Sequence, residues 1–157
     1  MFKVILNSIF LSFLFIGCSV KEDKVEKNEL KTRENVFVNG KNGVIIDIEK
    51  NVAYYVFKED KLYFDAYTMC ENLVLDGLNN WDLPTYEELG SLVNMANSGV
   101  KSYNLFNDID GKMYWSSKKS HLGDSFRILI DFKDGETRHD HIFNQNGVIC
   151  KSKIKLK

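Results

Sequence analysis

The chain has 157 residues, 44% of them hydrophobic and 13% aromatic, and carries 21 Lys+Arg against 22 Asp+Glu. That length fits one domain, and the aromatic content is enough to fill a core, which argues against wholesale disorder. A formal net charge of −1 argues against a general nucleic-acid binder, since neutralising phosphates needs a basic surface. No apolar run is long and clean enough for a multi-span membrane protein.

The N-terminus has the layout of an export signal. Lys3 precedes an apolar stretch of 13 residues, Val4 to Ile16, interrupted only by Asn7, Ser8 and Ser12. A transmembrane helix needs about 20 apolar residues, so this stretch suits the apolar part of a signal peptide. It closes in Phe15-Ile16-Gly17-Cys18, which resembles the bacterial lipobox, with Phe15 in place of the commoner Leu. The resemblance implies cleavage before Cys18 once its sulfur is diacylated. The plainer alternative is an ordinary signal peptide, or an uncleaved anchor, with an incidental Cys. Residues 1–17 are therefore expected to be a lipoprotein signal peptide, leaving 157 − 17 = 140 residues in the mature chain. Several acyl chains on Cys18, palmitate among them, would anchor stably where a single myristoyl-length chain would not. Ser19 follows Cys18; by resemblance to the enterobacterial sorting rule, in which Asp retains a lipoprotein at the inner membrane, it favours the outer membrane. The periplasmic or surface face stays open.

Residues 18–35 are expected to form a tether. Ser19 to Asn35 holds five basic and five acidic residues in 17, with no Gly or Pro and few apolar side chains. Such a segment cannot bury a core, and a solvated spacer is its reading, ahead of an interaction site. With Cys18 acylated, Cys70 and Cys150 remain, and in an oxidising compartment an even pair reads as a disulfide. Neither has a Cys or His neighbour at ligand spacing, which weakens a metal site or a reactive thiol as alternatives.

The globular part is expected over residues 36–157. Val44 to Ile48 and Val52 to Phe57 are β-rich runs either side of Glu49-Lys50-Asn51, a hairpin signal. Over Leu62 to Leu75 the period lengthens: Leu62, Phe64, Ala66, Tyr67, Cys70, Leu73 and Val74 make one apolar helix face, ended by Asp76-Gly77. Trp81 to Pro84 reads as extended, because a residue before proline avoids the helical region. Thr85 and Glu88 have capping-box spacing ahead of a second helix with Leu89, Leu92, Val93 and Ala96 as its buried stripe. Ser98 to Gly111 reads as a loop. Met113–Ser117 and Phe126–Phe132 read as strands, the latter with Phe126, Ile128, Ile130 and Phe132 on one side. Asp134-Gly135 marks a tight hairpin into Thr137–Ile142. Val148-Ile149-Cys150 begins a last strand. Lys151, Lys153, Lys155 and Lys157 alternate with Ser152, Ile154 and Leu156, which predicts a lysine-guarded edge strand, paired with Val44–Ile48.

This order of elements is α+β and resembles the C-type lectin-like fold: two helices packed on antiparallel strands, with the first helix bridged to the last strand. The motifs narrow the resemblance. Trp81-Asp82-Leu83-Pro84-Thr85, then Glu88-Leu89 and Leu92-Val93, Tyr114-Trp115-Ser116-Ser117, Asp131-Phe132-Lys133-Asp134-Gly135 and Val148-Ile149-Cys150 resemble the Legionella collagen-like protein C-terminal (Lcl-C) domain family. Ala66 to Cys70 resembles the A-x-x-x-C before the first motif, and Asp82 stands where the family usually has Arg. The resemblance implies an extracytoplasmic, often lipid-anchored module, with an adhesin that binds sulfated polysaccharide as its namesake member. Trp81, Leu83, Pro84, Glu88, Trp115, Asp134 and Gly135 are expected to be scaffold residues: large apolar anchors, a fixed helix entry, a cap and a turn.

Candidate chemistry is sparse. The proline triplet with which sugar-binding C-type lectins hold calcium is missing, since the single proline, Pro84, lies in Leu-Pro-Thr. Asn107 to Gly111 suggests an acidic calcium loop, but Phe106 and Ser117 stand where an EF-hand frame puts its first and last ligands, and a solvated turn is the reading. His139 and His141 share a strand face, yet zinc wants a third ligand, and His121 could join only through the fold. No Ser-His-Asp order, paired carboxylates or Gly-rich phosphate loop stands out. The formylglycine-generating oxidase shares the lectin-like fold but uses reactive cysteines, which here are assigned to the bridge. The expectation is a non-catalytic, adhesin-like envelope binding module, without cofactor or metal, whose partner is a polysaccharide or an envelope or host protein. Lys112, Lys118, Lys119, Arg127 and Arg138 are scattered candidates for sulfated sugar. The competing reading is a periplasmic accessory lipoprotein docking onto an envelope complex; an enzyme acting on envelope polymer comes third.

Overall fold

A computed structural model describes residues 36–155 of the chain. The signal-peptide, lipidation and tether readings at 1–17, Cys18 and 18–35, and the last two residues of the lysine-alternating tail, lie outside them. In chain order come β1 (Phe37–Asn39), β2 (Ile45–Asp47), β3 (Val52–Lys61), α1 (Tyr63–Glu71), β4 (Trp81–Asp82), α2 (Tyr86–Gly90), β5 (Met113–Lys119), β6 (Phe126–Asp131), β7 (Glu136–His141) and β8 (Asn146–Lys153). They form one sheet in the order β1-β2-β3-β8-β5-β6-β7, with β4 also paired to β8. Neighbours are antiparallel except β5 and β8, which run parallel where Tyr114 meets Gly147.

The hairpin expected around Glu49–Asn51 is present as β2–β3. Asp47 organises its turn, its Oδ1 accepting the backbone N–H groups of Glu49 and Lys50 at 3.1 and 2.9 Å. Strand β1, which the sequence reading did not foresee, adds to β2 at the sheet edge.

The last strand is central, not an edge. One side of β8 pairs with β3 from Val52↔Lys153 to Lys61↔Asn146, and the other side meets β4 and β5. It does not pair with β2. Asn146 to Cys150 are buried, and the Lys151 ammonium reaches Glu88 at 3.8 Å instead of guarding an open edge. The lysine alternation resembled edge protection, but Lys151 is paired with Tyr54 on one side and Asp82 on the other, and Ser152 between the two lysines is fully buried. Gly147 lets β5 approach: a Cβ there would lie 2.4 Å from the Tyr114 ring.

Two apolar clusters sandwich the sheet. Tyr54, Leu89, Leu92, Phe106, Tyr114, Ile130, Phe132 and Ile149 pack on the α2 side. Ala53, Tyr63, Ala66, Cys70, Trp81, Leu83, Trp115, Leu129, Val148 and Cys150 pack on the α1 side. The centre is thus buried on both faces, so Leu129 is buried as well as Ile130, while Phe126 and Ile128 are only half-buried. A one-faced strand had been expected.

Both helices are shorter than their apolar patterns. Helix α1 buries Tyr63, Ala66 and Cys70 and leaves Phe64 55% exposed, while Val74, beyond its end, is 73% exposed. Its rotation is set at Tyr63, whose N–H donates to Ile142 O at 3.2 Å and whose ring packs edge-on to Trp115 at 5.6 Å. The chain leaves the helix at Asn72; Asp76 and Gly77, at φ 53° and 77°, form a later tight turn across which Leu75 and Leu78 exchange backbone bonds. Positive φ at both turn residues suits Asp-Gly. In α2 the capping box is complete: Thr85 Oγ1 accepts Glu88 N–H at 3.2 Å, and Glu88 Oε2 accepts Thr85 N–H at 2.8 Å. The helix stops at Gly90, so Leu89 and Leu92 are buried but Ala96 is exposed. The expected loop at Ser98–Gly111 carries no helix or strand of its own.

Cys70 and Cys150 form the disulfide, with Cα atoms 5.4 Å apart across 80 residues of sequence. Both are fully buried. In the loop-entropy model a closure that long stabilises by about 4 kcal/mol. The double change Cys70→Ala with Cys150→Ala should therefore lower the urea midpoint by a stability loss of about 2–5 kcal/mol. An unchanged midpoint in equilibrium unfolding would show that the bridge does not constrain the unfolded chain.

Candidate functional site

The motif residues build scaffold. Trp81, Leu83 and Trp115 are buried, and the indole N–H groups donate to Leu78 O at 3.2 Å and Lys61 O at 2.8 Å. A buried indole needs such a partner. Pro84 O accepts Ser117 N–H at 2.8 Å, which ties the α2 entry to β5. Asp134 Oδ1 accepts Glu136 N–H at 2.9 Å, while Gly135 has φ 80° and a Cβ there would lie 2.5 Å from Met95 Sδ. The β6–β7 connection is a four-residue loop closed by Asp131↔Glu136 rather than a two-residue Asp-Gly turn. Gly135 is favoured by its positive φ, while the exposed Met95 side chain packed on it could move aside. Asp82, in place of Arg, turns its carboxylate onto Leu83 N–H at 2.8 Å.

The surface that these residues support is the long connection from Ser91 to Lys112. Its length without regular structure singles it out, because connections this long in compact domains usually carry function. Phe106 and Ile109 plunge into the α2-side core, and Lys101 N–H and Lys112 O bond the backbone of Phe132 at 2.6 and 3.0 Å. Tyr114 reaches up from β5, its hydroxyl accepting Asp110 N–H at 2.9 Å. With Phe106 and Ile109 turned inward, the connection shows an open cleft of about 290 Å³ lined by Asn97, Ser102, Tyr103, Asn104, Phe106 and Asn107 among others. The Tyr103 ring packs on Phe37 at 5.1 Å. Amides and hydroxyls offer both donors and acceptors without net charge, over a floor that is partly aromatic. The sequence signal lies in the asparagines at 97, 104 and 107, which a loop reading does not gather into one surface. A second cleft, about 540 Å³, has the apolar floor Val44, Ile46, Ala53, Leu78 and Ile154 beneath the β1–β2 turn.

The acidic run at the end of the connection does not converge. Asp108 pairs with Lys58 at 3.7 Å and Asp110 with Lys112 at 3.6 Å. Among the described residues, no group of three or more His, Cys, Asp or Glu side chains is placed to hold a metal. The cations proposed for sulfated sugar are mostly engaged. Lys112 pairs with Asp60 at 2.6 Å, Lys119 with Asp124, and Arg138 with Asp134 and, at 2.7 Å, Glu136. Arg127 lies over the Tyr63 ring at 4.3 Å. The Lys119 ammonium, through a hydrogen bond and its charge, holds the Asp124 carboxyl below its usual range.

The fold does bring the histidines together. His121, from the β5–β6 loop, packs edge-on to His139 at 5.0 Å between ring centroids, and His139 Nδ1 lies 2.8 Å from Ser120 Oγ. His141 packs against Phe126 and Phe143, each at 5.1 Å. The Ser120–His139 pair is a contact that the sequence did not suggest. It lacks the arrangement of a nucleophile: Ser120 is only 4% exposed, and its Oγ accepts Leu122 N–H at 3.0 Å. It latches a loop to β7.

The mixed sheet with two helices and a helix-to-last-strand disulfide defines a C-type lectin-like domain. The chain belongs to the Lcl C-terminal domain family, whose pattern matches residues 26–150. The match begins inside the segment read as tether. No curated protein sequence matches the chain. Among solved structures, botrocetin is 10% identical with a TM-score of 0.44, over 75% of this chain and 96% of that one. CEL-IV is 16% identical with a TM-score of 0.41, over 78% and 95%. The snake venom toxin convulxin is 12% identical with a TM-score of 0.38, over 77% and 97%. The fold assignment stands on the topology, the bridge and the family match.

Burial pushes the Tyr114 hydroxyl up to about 12, against a smaller opposing effect of the Asp110 N–H bond. The unfolded phenol titrates near 10. A raised value in the fold means that stability is fully present below pH 10 and is lost as pH climbs through 12. In chemical unfolding from pH 8 to 12, Tyr114→Phe should lose less stability across that window than the unaltered chain. Parallel curves would remove Tyr114 from the alkaline transition.

Proposed function

We propose that this chain is a lipid-anchored envelope module that binds without catalysis, its ligand a neutral, hydroxyl-rich polysaccharide held by the connection between α2 and β5. The observation that carries this reading is the uncharged lining at Asn97, Ser102, Tyr103, Asn104 and Asn107. Sugar hydroxyls need paired donors and acceptors, and an amide supplies both. A sulfated chain is less well suited, because Lys112, Lys119 and Arg138 already face carboxylates. The anchor rests on the Phe15–Cys18 sequence, and the outer membrane on Ser19.

Asn104 and Asn107 are exposed, so changing them tests binding without touching the core. On a glycan array, Asn104→Ala with Asn107→Ala should abolish retention of neutral polysaccharide while the thermal midpoint stays unchanged. Retention by the double variant, or selective retention of sulfated glycans, would overturn the cleft as the site.

A second reading, docking onto an envelope protein, is favoured by one observation: Leu122 and Phe143 project from the loops flanking β6 and β7, 56% and 70% exposed. A contiguous patch of such side chains would mark a protein contact, and these two flank the same pair of strands. Protease treatment of intact cells separates the settings. The surface-binding reading expects clipping before permeabilisation; protection until permeabilisation would place the partner in the periplasm.

A further inference from the structure

We infer that His121 and His139 form a two-imidazole site for a borderline divalent cation, Cu²⁺ or Zn²⁺, with water completing the coordination. Nothing in the reading of the α2–β5 connection requires this site.

The inference begins with spacing. A metal bonded to nitrogen at about 2.0–2.1 Å lies about 3.2 Å from an imidazole centroid, so two rings on one metal at 90–109° have centroids about 4.5–5.2 Å apart. His121 and His139 are 5.0 Å apart, with their planes at 82°. Edge-to-face packing alone also gives such a distance, so the second argument is orientation. Metal-ligating imidazoles characteristically give their other ring nitrogen to a fixed partner, which sets the tautomer. His139 Nδ1 has that partner in Ser120 Oγ at 2.8 Å. Ser120 is itself held by Leu122 N–H on its Oγ at 3.0 Å and by its own N–H on Phe126 O at 3.0 Å. Ser120 Oγ can serve this nitrogen as donor or as acceptor; in the tautomer that gives Nδ1–H to the oxygen, the one a metal would select, Nε2 of His139 presents its lone pair.

The third imidazole is excluded by its own contacts. His141 Nδ1 accepts Phe143 N–H at 3.3 Å, which leaves the proton on Nε2, and its ring packs against Phe126 and Phe143. The nearest acid of the loop, Asp124, is paired with Lys119. The site is therefore made of two protein ligands from two elements, the β5–β6 loop and the edge strand β7. A bound cation would staple that loop to the strand. Imidazole suits both copper and zinc, and both prefer it to the lone carboxylates nearby.

The test uses the untagged full chain in detergent, carrying Cys18→Ser so that its thiol cannot compete, titrated with Cu²⁺ alone and with Zn²⁺ alone. One equivalent of Cu²⁺ should bind with the nitrogen hyperfine pattern of two imidazoles, and Zn²⁺ should raise the thermal midpoint, since a ligand that binds only the folded state stabilises it. His121→Ala and His139→Ala should each abolish stoichiometric binding; Ser120→Ala should weaken it by about tenfold. His141→Ala should leave it unchanged. Circular dichroism of each metal-free variant shows that loss of binding is not loss of folding. Absence of binding, survival of binding in His121→Ala or His139→Ala, or loss in His141→Ala would each overturn the site. None of these results bears on glycan retention by Asn104 and Asn107.

Discussion

Strand β8 is the element on which the rest of the domain depends, because it is closed on both edges and both faces. Its backbone is taken up by β3 on one side and by β4 and β5 on the other. Its side chains alternate between the two cores, Ile149 toward α2 and Val148 and Cys150 toward α1. The disulfide then fixes α1 to the same strand. A chain segment from the C-terminal end thereby holds the N-terminal strands, the first helix and the central hairpin in one arrangement. Such non-local pairing is entropically costly to form, and cross-linking the unfolded chain across 80 residues offsets part of that cost.

The surface proposed for binding follows from this closure. With both faces of the sheet filled, the chain between α2 and β5 has only a shallow seat, which it fills with Phe106 and Ile109. The intervening residues remain outside. There the backbone is held by Phe132 and Tyr114 rather than by a strand or helix of its own. A loop pinned at such points presents amides and hydroxyls in fixed positions, which lowers the ordering cost of binding a flexible polar ligand. The same logic places the histidines: β7 is the sheet edge, so His139 stays half-buried and within reach of the β5–β6 loop.

Much of the scaffold could be read in advance where the determinant was local. Thr85 and Glu88 specify a cap three residues apart and Pro84 an extended entry, whereas Asp76-Gly77 turns beyond the end of α1 and Asp134-Gly135 sits in a four-residue loop. Where a pattern's meaning depended on what lay opposite, the reading failed. The expected helix face holds at Ala66 and Cys70, but Tyr63, clasped by Ile142 and Trp115, joins them in the core while Phe64 and Val74 face solvent. The stripe through Ala96 ran past the real end of α2, and alternating lysines suggested an edge for a strand that lies at the centre. The histidine pair was illegible because its members come from separate segments, and the cleft because the path of one irregular connection is set by the core it packs on.

The sequence by itself determined the pairing expected of Cys70 with Cys150 and the family-defining motifs from Trp81 to Cys150, and it alone carries the expectation of an export signal. Each rests on residue identity or on spacing within a few positions, which short-range sterics and chemistry settle. Only the tertiary structure decided which strand is central, which face of α1 is buried, where the asparagines gather and which imidazoles meet. These depend on side chains far apart in sequence competing for one filled core, and such a competition is resolved only when the whole domain closes.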